Sequence, residues 1–342
     1  MEHTLPWALR RARDRIEIMN TSAQIKRTKT AWVAMAAFIL FLLSTGLRSE
    51  GAEGGAMEDF RIVLRHRALK PGEVIYLKAQ SSRPLKDLRI QACGNEFQAF
   101  SEQDRSSWTA LVGVDLETRP GSYQIELRGI DQDGKSVKAL KGIRILSKKF
   151  PVRELKVDEK FVTPPAEAMA RIEEERHRVN AIFASVTPEK LWTGPFRAPV
   201  PGQVISAFGK RNVYNGQPRS PHSGVDFRGA VGTRIKAPNG GRVVLATDLY
   251  FSGNTVILDH GFGLYSYLAH MSEISVKEGD EVDAGSLVGK VGATGRVTGP
   301  HLHWTVRIGA TRVDPLSLMH VFEDSEKIGQ AKKGSAAIAD PR

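Results

Sequence analysis

Gly299-Pro300-His301-Leu302-His303-Trp304, GPHLHW, sets two imidazoles one residue apart behind a Gly-Pro turn. Alternate residues of a β-strand share a face. A strand beginning here therefore points His301 and His303 together, while Leu302, Trp304 and Val306 face the other way and can pack. The stretch thus delivers two ring nitrogens side by side from a rigid element, and it makes its surroundings read as β-sheet.

Outward from this stretch, the chain from Gly194 to about Met319 is Gly-rich with short Val/Ile runs, an all-β pattern. His222, His260, His270, His301 and His303, five of the nine histidines, fall within it. The segment HSGVD repeats the device: if extended, it puts His222, Gly224 and Asp226 on one face and Ser223, Val225 and Phe227 on the other. Gly224 is expected to leave a gap that an ion needs, because atoms about 2.0 to 2.2 Å from zinc must converge without an intervening side chain. Two histidines and one carboxylate with a fourth position open make a catalytic type of zinc site, and no thiolate is at hand to close it. His270, in YLAHM, joins the group of candidates. His260, in LDHGFG, reads as a structural residue at a strand end.

Composition bounds the rest. A length of 342 residues allows two domains with accessory segments, and 41% hydrophobic with 25% charged residues is an ordinary globular mixture. The formal charge of +11 suits an anionic lipid surface or an acidic polymer such as a cell wall. Nucleic acid is set aside as a partner, because the basic residues are dispersed and accompany no aromatic RNA-binding signature or helix-turn-helix pattern. The single cysteine, Cys93, forms no internal disulfide and is expected to be a buried small apolar residue.

Upstream, residues 58–150 alternate in short runs such as Val74 with Tyr76, Leu88 with Ile90 and Ala92, and Tyr123 with Ile125 and Leu127. Lys70-Pro71-Gly72, Arg119-Pro120-Gly121 and Asp131 to Gly134 punctuate them, which predicts a small immunoglobulin-like β-sandwich without a cluster of titratable residues, a spacer or docking module. The linker, 151–193, carries Met169, Ile172, Val179, Ile182, Phe183 and Val186 at helical spacing. Thr163 as cap, Pro164 at the first helical position and Glu167 near the N-terminal dipole predict one amphipathic helix, with His177 on its solvated face. The domain over 194–320 is followed by a tail, 321–342, expected to be flexible.

A basic leader, 1–30, precedes AWVAMAAFILFLLSTG, about sixteen uncharged and mostly apolar residues within 31–47. This reads as a membrane segment, either a cleaved signal peptide or a retained anchor in the inner membrane, and Met19 offers an alternative start. The leader's arginines and lysines keep that end in the cytoplasm, so everything after about residue 50 is expected outside it, in the periplasm or cell envelope.

The chain from about Gly194 to Leu318 resembles the M23 zinc metallopeptidases, the lysostaphin or LytM type of peptidoglycan endopeptidase. The resemblance rests on FGKR at Phe208, HSGVDF, GTRIKAPNGGRVV, HGFGLYSYLAHM, VKEGDEVDAGSLVGKVGATG, GPHLHW and VDPL, in that order. The upstream sandwich, link and helix are similar to Gram-negative envelope members. The resemblance implies a mostly β chain ending in an M23-type β-sheet peptidase domain, one Zn2+ per domain, and His222, Asp226 and His303 as its ligands. His270 and His301 take the catalytic positions, in an order of roles left open between them. The implied substrate is the peptide cross-link of peptidoglycan, in a Gram-negative envelope the D-alanyl to diaminopimelate bond. The family often has Tyr two residues before the histidine of YLAHM; here Leu268 stands there, with Tyr267 one earlier. A non-catalytic LytM-like regulator that activates other wall hydrolases is the alternative, and the presence of the whole ligand set argues against it. VKEGDEVDAGSLVGKVG is also similar to a biotinyl or lipoyl carrier half-barrel, but Lys290 sits within a strand pattern rather than at a hairpin tip.

Overall fold

Strand-forming runs broken by Pro-Gly and Asp-Gly turns give seven antiparallel strands in the computed structural model: β1 (Phe60–His66), β2 (Val74–Ser81), β3 (Leu85–Ala92), β4 (Asn95–Ser101), β5 (Ser107–Gly113), β6 (Gly121–Asp131) and β7 (Ser136–Ile145). The structure describes residues 59–101, 104–155, 164–218 and 220–322. The leader, the apolar segment, the Thr163 cap and the tail beyond 322 lie outside them. Among the described residues no helix is long and apolar enough to cross a membrane. The strands pair in the order β1-β2-β5-β4-β3-β6-β7.

Along β3 the burial alternates as its sequence predicts, with Leu88, Ile90 and Ala92 inside. Strand β2 departs from the expected alternation of Val74 and Tyr76, because Ile75 and Leu77 are buried as well. In β5 every residue from Trp108 to Gly113 is buried. The reason is a second covered face. Tyr76 packs edge-on against Phe322 at 5.8 Å, and Phe100 of β4 meets Trp192 at 5.4 Å and Phe262 at 5.1 Å. A sheet covered on both sides loses its polar alternation. Ion pairs rim this contact: Arg67 bridges Glu73 at 2.9 Å and Asp314 at 2.7 Å, and Arg312 bridges Asp115 at 2.7 Å and Glu117 at 2.8 Å.

Cys93 is not the core residue expected of it. It sits half-buried in the β3–β4 turn at φ 49°, beside Gly94 at φ 79°, the pair of positive angles that a tight two-residue hairpin needs. Partial burial still pushes its thiol up to about 11.

Past β7 the chain forms β8 (Val152–Leu155), a one-turn 3-10 helix (Ala166–Ala168) and α1 (Met169–Ala184). The helical segment begins later than predicted: Pro165 is the N-cap of the 3-10 turn and Ala168 that of α1, neither with a side-chain cap bond, and Pro164 precedes both. Phe183 is the one buried residue of α1, packed edge-on to Tyr265 at 5.6 Å, while Met169 and Val186 are exposed. His177 is on the solvated side, 3.0 Å from Glu173.

Then follow β9 (Val204–Ser206), β10 (Arg211–Tyr214), β11 (Gln217–Pro218), β12 (Gly224–Arg228), β13 (Arg234–Lys236), β14 (Gly241–Leu249), β15 (Gly253–Gly261), β16 (Leu264–Ile274), β17 (Glu281–Val282), β18 (Leu287–Val291), β19 (His301–Ile308) and β20 (Thr311–Val313). The main path of the large sheet is β17-β14-β15-β16-β19-β12-β9, with β13, β18 and β20 attached to it, and β8 runs parallel to β10 in a small separate sheet. A helix over 315–322 ends the described chain, so Val321 and Phe322, expected in the tail, are buried instead. Leu302, Trp304 and Val306 are wholly buried, which anchors β19 in the centre of the sheet and leaves its other face for the histidines.

Candidate metal centre

Register places the first pair of candidates. Strands β12 and β19 are antiparallel neighbours with Asp226 directly opposite His303 and Arg228 opposite His301. Residues directly opposite each other share a face, so the carboxylate and both imidazoles emerge on the side away from Trp304. His222 precedes β12 and is held by the segment before β10. Its amide donates to the Lys210 carbonyl at 2.9 Å, and its own carbonyl accepts from Gly209 at 2.8 Å. Its ring Nδ1 bonds the Ala207 carbonyl at 3.0 Å. A carbonyl only accepts, so Nδ1 carries the proton and the neutral ring turns its Nε2 lone pair inward.

Three ligand-type atoms then meet at one point. His222 Nε2 lies 2.9 Å from Asp226 Oδ1 and 3.0 Å from His303 Nδ1, and His303 Nδ1 lies 2.8 Å from Asp226 Oδ1. The far nitrogen of His303, Nε2, is 2.8 Å from the Thr305 hydroxyl. Two imidazole nitrogens and a carboxylate oxygen thus lie this close together, with side-chain exposures of 13 to 17%. Such a donor set fits a divalent cation, and among the described residues it is the one group of His, Cys, Asp or Glu with metal-ligand geometry. Burial opposes the charge on Asp226, but the hydrogen bonds and charges of His222 and His303 overcome it and hold the carboxyl far below its usual range. Burial likewise disfavours protonated His222, yet the Asp226 contact raises it; in His303 burial prevails and lowers it.

Gly224 serves a different neighbour from the one expected. A Cβ there would lie 2.3 Å from the Trp304 carbonyl oxygen and 2.8 Å from Thr305 Oγ1. The space belongs to the close approach of β19 and to the hydroxyl that orients His303, not to an ion.

His270 reaches the same face by a backbone irregularity. Between the pairs Asn254 with Met271 and Val256 with Leu268, β15 contributes Thr255 alone while β16 contributes Ala269 and His270, a bulge. Ala269 is opposite His303, so regular alternation would turn His270 inward beside Leu268. Instead His270 takes φ 66°, and its ring comes to 4.9 Å from that of His301 and 6.0 Å from that of His303, centroid to centroid. Nδ1 of His270 donates to the Thr294 carbonyl at 3.0 Å and Nδ1 of His301 to the Gly299 carbonyl at 2.8 Å. Both rings therefore keep Nε2 as an acceptor, and that of His301 is 3.8 Å from Asp226. Burial, with the charges of His303 and His301, pushes His270 down to about 4, so it is neutral at pH 7.

Sequence reasoning missed the supports. Thr305 lies two residues beyond His303 on the same strand face, and alternation would have found it. The Thr294 hydroxyl donates to the Met271 carbonyl at 2.7 Å and accepts from the Asn254 amide at 3.0 Å, bracing the bulge. Tyr267, displaced from the family position, donates to the Ser252 hydroxyl at 2.6 Å, and the Ser252 carbonyl accepts from the His270 amide at 2.9 Å. Backbone carbonyls such as Ala207 carry no sequence signal. His260 stands apart, wholly buried, with Nδ1 on the Gly240 carbonyl at 2.6 Å and Nε2 on the Ser266 hydroxyl at 2.9 Å; burial lowers it to about 4.

The sequence pattern of Peptidase family M23 matches residues 220–315. The chain is 35% identical over 115 residues to the peptidoglycan DD-endopeptidase ShyA of Vibrio cholerae, covering 33% of this chain and 27% of that one. It is 38% identical over 116 residues to the DD-carboxypeptidase/endopeptidase Mpg of Neisseria meningitidis, covering 34% and 26%. These matches span about a quarter of the length of the curated relatives. A crystal structure from Pseudomonas aeruginosa whose name places it with peptidase M23 is similar with TM-score 0.59 and 33% identity, over 74% of this chain and 96% of that one.

Proposed function

The chain belongs to peptidase family M23, and from that premise we propose that it is a zinc-dependent endopeptidase hydrolysing the peptide cross-links of peptidoglycan. The observation that carries the reading is the meeting of His222 Nε2, His303 Nδ1 and Asp226 Oδ1, two imidazole nitrogens and a carboxylate oxygen, within 3.0 Å of one another. These three residues would hold one zinc ion. When bound, zinc supplies Lewis acidity, polarising the scissile carbonyl and acidifying a water. The protein's own part is the proton. His270 and His301, each with Nδ1–H committed to a carbonyl, present Nε2 to accept the proton of the attacking water and return it to the departing amine. The bulge and the turn at Gly299 fix both rings in place before substrate arrives, which spares reorganisation during the reaction.

The remaining features support a setting for this activity. The basic leader and apolar run place the described units outside the cytoplasm, in the periplasm or envelope, where a chain of charge +11 meets an anionic wall. The N-terminal strands read as an immunoglobulin-like sandwich. Their order contains the runs β1-β2-β5-β4 and β3-β6-β7, the sequence of neighbours found in constant-type domains, joined into one path by the pairing of β4 with β3, and Tyr123 near the start of β6 donates its hydroxyl to the Arg119 carbonyl at 2.8 Å in the manner of a tyrosine corner.

The test is metal content together with digestion of defined sacculi, the new termini being identified by mass spectrometry. Zinc in the purified chain and release of cross-linked muropeptides are expected, and His303→Ala should abolish both. Zinc retained without cleavage would favour the non-catalytic regulator.

A further inference from the structure

The N-terminal β unit contains no candidate catalytic group, yet it touches the segment that orients His222. Phe208 follows Ala207, whose carbonyl fixes the His222 tautomer, and precedes Gly209, which bonds the His222 carbonyl. Its ring is 4% exposed and lies between two elements from outside the large sheet. On one side is Gly72, in the β1–β2 turn, whose added Cβ would come within 2.3 Å of the Phe208 ring. On the other is Phe150, ring centroid 6.4 Å away, which itself rests on Gly209. Lys148 lies over both rings, at 5.3 and 5.9 Å, and its ammonium is 3.2 Å from Glu73.

The turn is the firmer of the two partners. Gly72 donates its amide to the Val114 carbonyl at 2.8 Å and accepts from the Asp314 amide at 2.7 Å. Glu73, 3% exposed, is bound by Arg67 and Lys148. At φ 85° Gly72 occupies backbone space that other residues rarely take. A side chain there has a backbone pinned at both ends behind it, so the Phe208 ring is what must move.

We propose that Phe208, gripped by Gly72 and Phe150, is a positioning residue for the metal ligand His222, and that the N-terminal β unit thereby forms part of the support of the metal centre rather than a spacer. This rests on the zinc reading above. Moving Phe208 shifts the Ala207 carbonyl and the Gly209 amide together, and with them the ring whose Nε2 faces the ion. Loss of a partner that orients a ligand typically weakens metal affinity about 10- to 100-fold.

The experiment compares zinc affinity, by chelator competition, in the full chain and in Gly72→Val, Phe208→Leu, Phe150→Leu and Gly134→Val, each first shown to be folded by circular dichroism and melting. Gly134 is a control for backbone strain, since it too has a positive φ, 83°, but nothing lies within 4 Å of its Cβ position. Long-range 1H–15N spectra of the metal-free proteins report which His222 nitrogen is protonated. About tenfold weaker binding is expected for Gly72→Val and Phe208→Leu, with loss of the Nδ1–H form of His222, and parent affinity for Gly134→Val. Should Gly72→Val fail to fold, the two phenylalanine variants carry the same test. Parent affinity and an unchanged tautomer in folded Phe208→Leu overturn the inference alone. Absence of zinc binding by the parent chain overturns the zinc reading, and this inference with it.

Discussion

Two of the places where the described residues gather charged and polar groups away from water are resolved differently. At the contact between the N-terminal strands and the large sheet, every acid faces a base: Arg67 meets Glu73 and Asp314, and Arg312 meets Asp115 and Glu117. At the end of β12 and β19 the groups do not cancel. His222, Asp226 and His303 bring two imidazole nitrogens and a carboxylate oxygen to one point, while the outer nitrogens of the two rings are tied to Ala207 and Thr305. The first arrangement is complete in itself and holds two sheets together. The second has the donor set of a cation site, and on the zinc reading proposed above the same kinds of residue serve structure in one place and chemistry in the other. His260 fits the first class although it is a histidine of the same domain, since both of its nitrogens are already satisfied by Gly240 and Ser266.

The sharpest way to break this comparison is to remove a member from each place and ask what is lost. His303→Ala should lower peptidoglycan hydrolysis on the order of a thousandfold or more, with loss of bound zinc. In the metal-free protein, however, its melting temperature should fall far less than that of a variant at the ion-paired contact, because one imidazole is lost there rather than one side of a buried ion pair. Equal destabilisation of the metal-free forms by the two variants would show that the site is as self-sufficient as the interface.

The counterpart is Arg67→Met. It leaves Asp314 without its ion pair and Glu73 with Lys148 alone, both acids being largely buried. Removing one side of a buried pair costs about 3 kcal/mol, and denaturant unfolding of the variant should show a loss of that order. Zinc content should stay at the parent level. A neutral outcome in unfolding would mean that the pairs at this contact contribute as little as exposed ones do.

The same contrast explains what could be read from the sequence. The HxH spacing specifies which residues share a strand face, and β12 and β19 set Asp226 opposite His303 in register, so that part of the cluster was legible, whereas His222 joins it from before β12 through its bonds to Gly209 and Lys210. His270 was legible as a candidate but not as a neighbour, because its approach depends on a bulge at φ 66° that contradicts simple alternation. Alternation along β3 was legible too. It failed in β2 and β5 because their second face is covered by residues far along the chain, Phe322 against Tyr76 and Thr311 and Val313 against Gly113, and local periodicity cannot announce a distant covering surface. Gly224 was read as making room for an ion for a related reason: the sequence shows a missing side chain but not the strand that approaches it.

A smaller effect is expected from the uncharged network that braces His270. Thr294→Val keeps the carbonyl that accepts from His270 but deletes the hydroxyl that ties Met271 and Asn254 across the bulge. We expect kcat to fall about tenfold, equivalent to about 1.4 kcal/mol in the barrier, with little change in KM or zinc content, and Thr294→Ser to restore it. An unchanged kcat would show that the positive φ of His270 is held by the strand pairing alone. Such a result would move the site closer in character to the interface, where geometry follows from packing.

The smallest effect concerns pH, and it distinguishes the interface from the rest of the surface. Burial works against the charges of Glu73 and Asp115, but their hydrogen bonds and ion pairs with Arg67 and Arg312 prevail, and both carboxyls are held below their usual values of 4.5 and 3.8. An acid with a depressed folded-state pKa binds fewer protons folded than unfolded, so stability rises with pH across that interval. Their contribution is therefore fully present above about pH 4.5, and is lost as pH falls through the lower folded-state values. Melting curves of the metal-free chain should already decline below about pH 6.5, where the unfolded chain protonates histidines such as His260 and His270 that the fold keeps neutral, and the two carboxyls should add a further drop of a few degrees below the usual carboxylate range. In Arg67→Met the part of this drop due to Glu73 should shrink, because the guanidinium that depresses its carboxyl is gone. If the acid limb of the variant coincides with that of the parent, once both are shifted to a common neutral value, then Glu73 owes its low pKa to Lys148 and Ser317 instead, and Arg67 is an onlooker at the contact.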